Sequence, residues 1–521
     1  VTSPEGGEWY TLAENLYRAY LLTGEEKYRE FARVWEYREY WNHFAQGRDI
    51  FSHPQPFWYH AYSHVNTLSS LAATYLVNGD PEDLAALRNA YDFLWRTQLW
   101  ATGGFGPNES LVPQGGLLKM LSDTANHFET QCGSWTGFKL TKYLICFTGD
   151  ARYGDWTERL AINGIGASIP MSPRGQVFYY SDYSLGGASK HNSDVGWACC
   201  TGTRLQAVAD YHDLIWFQAP GALYVNLFAS STVTWGGVKV VQRTRFPEEE
   251  TVRFTIHTRR PRDFGLNVRR PGWLAGPARG EVNGAPVSLR PNSRHWLEIR
   301  RTWREGDTVT VRLPMGWRLS QVDPARAYPV ALLYGPVAMA VRAEAGGNPS
   351  RAFDFANLGR TLRPVPGQPL NFRLRTNPAV LVRPFYQFPE GERYFLYLDP
   401  VRSPLRVSHR ELTFSPGWQD FGSWRASNVP GATVECSIEA DRVRIEGYRY
   451  DDAGMMAVEA DSKRVGVIDE YGPHRGEPAS WQFDLGPGRH TLRLILLPER
   501  NPASKGQYVN ISGVEGEQGQ E

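Results

Sequence analysis

One change of hydrophobic period constrains this chain more than any other feature. Up to about residue 220, apolar and aromatic residues recur at helical spacing, and from Leu223 they alternate as on strands. Trp9–Tyr20, Tyr28–Trp41, His60–Val77, Leu84–Leu99, Gly133–Cys146 and Leu205–Trp216 read as helices. Three junctions share one pattern: Leu22-Thr-Gly-Glu, Val77-Asn-Gly-Asp and Phe147-Thr-Gly-Asp. In each, glycine closes one helix and the acid opens the next. The glycines are 55 and 70 residues apart, so the repeat is a loose one of paired helices. A toroid of helical hairpins is the natural closed arrangement. The Gly-rich stretches 101–106 and 164–176 are where substrate contacts are expected.

After the change, Tyr224–Phe228, Val238–Gln242, Val252–Ile256 and Val309–Leu313 read as strands, and Val282-Asn-Gly-Ala as a hairpin turn. The expected division is a helical catalytic part over 1–222 and a β-sandwich over 223–342. A crossing segment with additional strands follows over 343–402, packing on either earlier part. A C-terminal β-sandwich covers 403–521. A length of 521 residues suits about three domains. In the last part, Trp418, Trp424, Tyr448, Tyr450, Tyr471 and Trp481 are either packing residues or ring platforms of a carbohydrate-contacting module.

Charge narrows the partners. Lys+Arg total 56 against 55 Asp+Glu, which argues against nucleic acid. No apolar run is long enough to span a bilayer, so no membrane insertion is expected. The sequence opens Val-Thr-Ser-Pro and leads at once into a helical pattern, so an upstream part of the first domain is expected to lie outside it. Low cysteine use suits a reducing cytoplasm, but secretion fits as well, and a homodimer stays open.

Five cysteines cannot all pair, and two are adjacent: Cys199 and Cys200. Zinc prefers thiolate sulfur and accepts carboxylate oxygen. Glu129 and Cys132 in Phe-Glu-Thr-Gln-Cys share one face of a helix start, and Cys199-Cys200 would meet them from a distant loop. Such a Cys3Glu set would leave no open metal position. The alternative is small cysteines buried in a core, which suits Cys146 and Cys436. Glu109 ends Thr-Gly-Gly-Phe-Gly-Pro-Asn-Glu and reads either as a general acid over a sugar or as a solvated loop acid. Asp123, Asp182 and Asp194 are further carboxylates of the central section, and His53, His60, His64, His127 and His191 cluster early. His60 and His64 are one helical turn apart, for sugar, metal or packing. No HExxH, GxGxxG, Walker loop or GxSxG stands in a supporting context, which removes zincin, nucleotide and serine-esterase chemistry.

Ordered motifs now carry a resemblance. They are Ala101–Glu109, Phe128–Cys132, Phe147–Arg159, Val177–Ser181, Cys199-Cys200, Leu223–Phe228, Arg270–Trp273, Val282–Gly284, Trp303–Asp307 and Leu333–Pro336. Over residues 1 to about 395 the chain resembles glycoside hydrolase family 127, the β-L-arabinofuranosidases. The resemblance implies a multidomain α+β fold, an (α/α)6 barrel followed by β-sandwich domains. It implies a retaining exo-glycosidase for oligosaccharide or glycoconjugate substrates, with a zinc-bound cysteine nucleophile. Cys199 takes the nucleophile's place. Glu129, Cys132, Cys199 and Cys200 match the zinc ligands, and Glu109 the general acid/base. His60, His64, Tyr180 and His191 are the expected sugar contacts. Two departures stand beside the site. Thr130 and Gln131 separate Glu129 from Cys132 where the family has one residue, and Thr201-Gly-Thr-Arg follows Cys200 where relatives have Pro-Pro-Asn. They motivate two further readings: a metal-free pair of carboxylates, Glu109 with an Asp of 182–194, or a non-catalytic sugar-binding relative.

Overall fold

The computed structural model describes residues 8–52, 59–168, 177–190, 199–342, 349–400, 406–486 and 488–517. By its internal contacts the chain forms two compact units. The first holds nearly all of residues up to Leu398, and the second holds residues from Asp399 onward with the short segments Leu118–Ala125 and Ser184–Gly187.

The helical part begins with α1 (Ala13–Thr23), α2 (Glu26–Val34), α3 (Arg38–Ala45), α4 (Ala61–Asn78) and α5 (Pro81–Thr97). It continues with α6 (Gly116–Asp123), α7 (Thr130–Thr148), α8 (Gly154–Arg159) and α9 (Cys199–Tyr211). The shared junctions are helix stops: Gly24, Gly79 and Gly149 each take the left-handed conformation as the cap of α1, α4 and α7. Asp80 and Asp150 then cap the next element by accepting from Glu82 N and Arg152 N. The stretch Tyr28–Trp41, read as one helix, is two. At the break, Glu36 accepts a tertiary hydrogen bond from Tyr17 Oη and a local one from Arg38 Nε, a pair that a continuous helix would not present together. Among the described residues no helix is long and apolar enough to cross a membrane.

Small residues let α7 pack closely. Gly104 and Gly133 flank the ring of Phe128, and a Cβ at either would come within 2.5 Å of it. The Gly-rich loop at 101–107 is buried, not an exposed flap. Trp156 Nε1 donates to Gly103 O at 2.8 Å, and Tyr397 Oη accepts from Ala101 N at 2.8 Å. Phe128–Glu129 pairs with Tyr180–Ser181 as a two-stranded ribbon, which carries two of the anticipated site residues.

Strands begin at Trp216–Ala219, just before the expected change at Leu223, because α9 ends at Tyr211 and not at Trp216. A six-stranded and a four-stranded sheet cover residues 216–312, and their inward residues, including Val240, Phe254, Leu266 and Trp303, form one apolar core. Val282 pairs with Ala285 across Asn283-Gly284, both at positive φ, the conformation a two-residue hairpin of type I′ demands. The next sheet starts earlier than expected. Trp317–Gln321, Val330–Tyr334 and Val337–Arg342 belong with the strands of 362–398, so the boundary falls near residue 316 and not at 342. Pro314 and Gly316 interrupt the alternation there, but a break in periodicity does not show that the strands after it join another sheet. Arg393 and Tyr394 of this sheet pair with Ser189 and Ala188 of the helical part.

The second unit has four-, five- and three-stranded sheets around a core that includes Val443, Ile445, Val458 and Leu494. Trp418 and Trp481 pack against that core, so these two rings are structural.

A buried ion-pair joint ties α8 to the strands. Arg269, fully buried, pairs with Asp155 and with Glu158, while Trp273 Nε1 donates to Glu158 Oε2 at 2.6 Å. Removing the cation alone leaves two carboxylates in a low-dielectric site. Arg269→Met is expected to lower unfolding free energy by about 3–5 kcal/mol, measured by chemical denaturation. A change below about 1 kcal/mol would show that the joint is not a significant fastening.

Candidate active site

Three chain segments meet at the start of α7. Glu129 is its N-cap residue and Cys132 lies three positions on, so both side chains occupy one face of the first turn. Cys199 and Cys200 open α9, which packs along α7.

The four donors are mutually close. Cys132 Sγ lies 3.7 Å from Cys199 Sγ and 3.5 Å from Cys200 Sγ. Glu129 Oε1 is 3.3 Å from Cys199 Sγ and 3.7 Å from Cys200 Sγ. Zinc at about 2.3 Å from each sulfur in a tetrahedron gives sulfur–sulfur edges of about 3.8 Å. The observed edges therefore suit that ion. A second observation agrees: Glu129 Oε2 is buried and has no hydrogen-bond partner among the described residues. Glu129, Cys132 and Cys200 are buried, whereas Cys199 is exposed.

Electrostatics explain why such a set calls for a cation. Burial pushes the Glu129 carboxyl up to about 9. Hydrogen bonding with Cys199 and then Cys200 raises Cys132, and burial raises Cys200. The Cys199 thiol is drawn below the usual range by hydrogen bonds from Cys132 and Cys200, helped by Tyr179. Protein groups alone thus favour one anion in the cluster, and it falls on the exposed sulfur. A divalent ion would allow the other donors to ionise as well.

Glu109 stands beside this cluster. Asn108 and Glu109 have φ of 50° and 57°, two successive non-glycine residues in the left-handed region. That strain costs about 1–2 kcal/mol per residue and aims the carboxylate. His60 Nε2 donates to Glu109 Oε2 at 3.1 Å, and Tyr180 Oη donates to Oε1. His60, the N-cap of α4, accepts at Nδ1 from Ser63 N, which sets its tautomer. The bond from His60 holds Glu109 below the ordinary carboxylate range, against its partial burial. The donor atoms of His60, Glu109 and Glu129 lie within 4.8 Å of one another.

Other anticipated residues fall elsewhere. His64 does not join the cluster: it is 3% exposed inside a cage of Tyr10, Tyr37, Tyr40 and Tyr59, and burial lowers it to about 4. One turn of helix turns its ring inward while His60, at the cap, stays outside. His191, His53 and Asp194 lie outside the described residues. Asp182 faces His127 at 3.5 Å, and Asp123 pairs with Lys119. Cys146 is exposed on α7, contrary to the expectation of a core thiol, and Cys436 is half-buried.

Some neighbours carried no sequence signal. Tyr179 Oη lies 3.2 Å from Cys199 Sγ and donates to Glu129 Oε1 at 3.5 Å. Its place just before the short strand Tyr180–Ser181 was the available hint. Thr203 Oγ1 is 3.1 Å from Cys132 Sγ and donates to Cys199 O. Its spacing from Cys199 becomes helical only once α9 is known to start at Cys199. Glu8, 3.5 Å from His60 Nδ1, precedes every periodic segment.

A helical part joined to β-rich parts, with a thiol cluster and a positioned carboxylate, is the form of a glycoside hydrolase. Residues 6–213 match the family model described as Beta-L-arabinofuranosidase, GH127 catalytic domain, and residues 222–315 match the GH127 middle domain. The chain belongs to glycoside hydrolase family 127. Among solved structures, it is similar to a GH127 beta-L-arabinofuranosidase from Geobacillus stearothermophilus T6 at 18% identity, covering 96% of this chain and 71% of that one, TM-score 0.53. Another GH127 beta-arabinofuranosidase is 18% identical over 96% of this chain and 67% of its own, TM-score 0.54. A further structure described as a glycoside hydrolase is 16% identical over 76% of each chain, TM-score 0.55. No curated protein matches in sequence.

The donor set predicts a bound metal with a structural readout. Elemental analysis of chain purified without chelator is expected to give about one zinc per chain. Cys132→Ala is expected to lower that content and the thermal midpoint together. Metal-free protein with an unchanged midpoint on chelation would contradict the assignment.

Proposed function

We propose that this chain is a retaining exo-glycoside hydrolase that releases a terminal furanoside, β-L-arabinofuranose or a related sugar, from an oligosaccharide or glycoconjugate. In this reading the helical part is an (α/α)6 barrel and the strands of 222–315 close as a β-sandwich. The observation that carries the reading is the exposure pattern: of four converging donors, only Cys199 reaches solvent. A sulfur that is both drawn to its ionised form and accessible is a nucleophile.

Glu129, Cys132, Cys199 and Cys200 would hold zinc, which when bound keeps the thiolates ionised near neutral pH. Cys199 Sγ attacks the anomeric carbon of the terminal sugar. Glu109 in its protonated form donates to the leaving oxygen, and the C–O bond breaks with a sulfur–carbon bond formed. The Glu109 carboxylate then takes a proton from water, which displaces Cys199 with a second inversion, giving net retention. His60 and Tyr180 bond the two oxygens of Glu109, so they fix its direction in both steps. Tyr179 can follow the sulfur's change of charge, since its hydroxyl reaches both Cys199 and Glu129. His60, Tyr180 and His191 are the proposed sugar contacts. His64 supports His60 from beneath, where its ring lies among the tyrosines.

The two-carboxylate alternative, Glu109 with an Asp of 182–194, is separated from this reading by the Cys199 variant. With an aryl β-L-arabinofuranoside as substrate, Cys199→Ala is expected to lose about 10³-fold or more in kcat. Glu109→Gln is expected to lose about 10²–10⁴-fold with a poor leaving group and less with a good one. Near-normal turnover by Cys199→Ala would exclude the cysteine mechanism. The absence of hydrolysis of every furanoside by the unaltered, zinc-loaded chain would favour a sugar-binding relative.

A further inference from the structure

The C-terminal unit contains a cavity of its own, enclosing about 450 Å³, a volume within the range of small-ligand sites. It lies on the outer face of the strand Arg442–Arg449. Residues two apart on a strand share a face. Val443 and Ile445 enter the core, and Arg444, Glu446 and Tyr448 line the cavity instead. The adjacent strand adds Ser480, paired directly with Glu446. Segment 118–125, which belongs to the same unit, supplies Lys119 and Asp123.

Three properties define what fits there. First, charges are matched. Lys119 pairs with Asp123 at 2.9 Å, and Arg444 pairs with Glu515 and lies 3.8 Å from Glu446. A site so balanced has no net field to hold a phosphate, an acidic glycan or a bare cation. Second, two buried polar atoms are unmet. His409, 1% exposed and lining the cavity, has no partner for Nε2 among the described residues, and Arg444 Nε likewise has none. Burying a polar atom without a partner costs free energy that a ligand's hydroxyl would recover. Third, one aromatic ring, Tyr448, lines the cavity beside Pro478 and Ala479. Outside the lining, Trp424 lies 6.1 Å from Tyr448 and stacks on Phe421 at 4.5 Å and 12°. A neutral ligand with one apolar face and hydroxyls that both donate and accept meets all three conditions.

We propose that this cavity is a second sugar site that binds a neutral oligosaccharide, separate from the chemistry at Cys199. The proposal does not rest on the hydrolytic reading. The site would keep the chain on a glycan whether or not the bond is cut.

The test is isothermal titration of arabinotriose and xylotriose into the Cys199→Ala chain, with trigalacturonate as the acidic comparison. Two further variants carry Ser480→Trp, which fills the cavity, or Tyr448→Ala, which removes its aromatic ring. Unchanged thermal midpoints show that both fold. The expected result is saturable binding of a neutral trisaccharide, weakened at least tenfold by Ser480→Trp and clearly reduced by Tyr448→Ala. Identical titrations with and without the two substitutions would overturn the proposal. So would binding of trigalacturonate alone, or no binding of either neutral trisaccharide to the Cys199→Ala chain.

Discussion

Three thiols and a carboxylate packed within hydrogen-bond distance of one another cannot all be ionised away from water unless a cation lies among them. This constraint organises the catalytic region. Glu129 and Cys132 come from the first turn of α7, and Cys199 and Cys200 from the start of α9. The two helices must therefore pack start to start, with little freedom. The Phe128 ring, wedged between Gly104 and Gly133, fixes the backbone one residue before Glu129. It also ties the cluster to the loop that carries Glu109. A shift of that ring would move the ligand carboxylate and the general acid together.

The same economy of placement gives the site its asymmetry. Three of the four donors are buried and one is open. Buried thiolates held by a metal are inert, whereas an open one can meet a carbon centre. Glu109 is held by His60 and Tyr180 in a strained backbone position, a cost that only a constrained scaffold sustains. That scaffold is completed by the Arg269 joint, through which α8 and the strands share one set of buried charges. Arg269, with Gly272 and Trp273 of the Arg-Pro-Gly-Trp motif that follows it, and the Asp-Trp-Thr-Glu motif are thus a structural fastening. Their ordered presence marks the family without taking part in the chemistry.

Much of this was legible in the residues. The period change, the three glycine stops and the Asn-Gly turn report local backbone physics, which sequence carries directly. Ligands spaced along one helix start, such as Glu129 and Cys132, were legible for the same reason. Contacts that depend on how distant elements pack were not. The inward turn of His64, the reach of Tyr179 to Cys199, the place of Glu8 and the sheet change near residue 316 are of this kind. The break after α2 also belongs here, since Glu36 is claimed by partners on α1 and α3. Where a side chain points is decided by neighbours that periodicity does not name.

The central claim is that Cys199 sulfur becomes bonded to the sugar during turnover. The Glu109→Gln chain, given an aryl β-L-arabinofuranoside with a good leaving group, should accumulate that adduct, because departure no longer needs the acid and release still needs the base. Rapid acid quench, digestion and peptide mass spectrometry locate it. The account predicts one anhydropentosyl unit on the peptide containing Cys199, at the sulfur. A pentosyl label on a carboxylate, or no adduct while product forms with retained configuration, would contradict it.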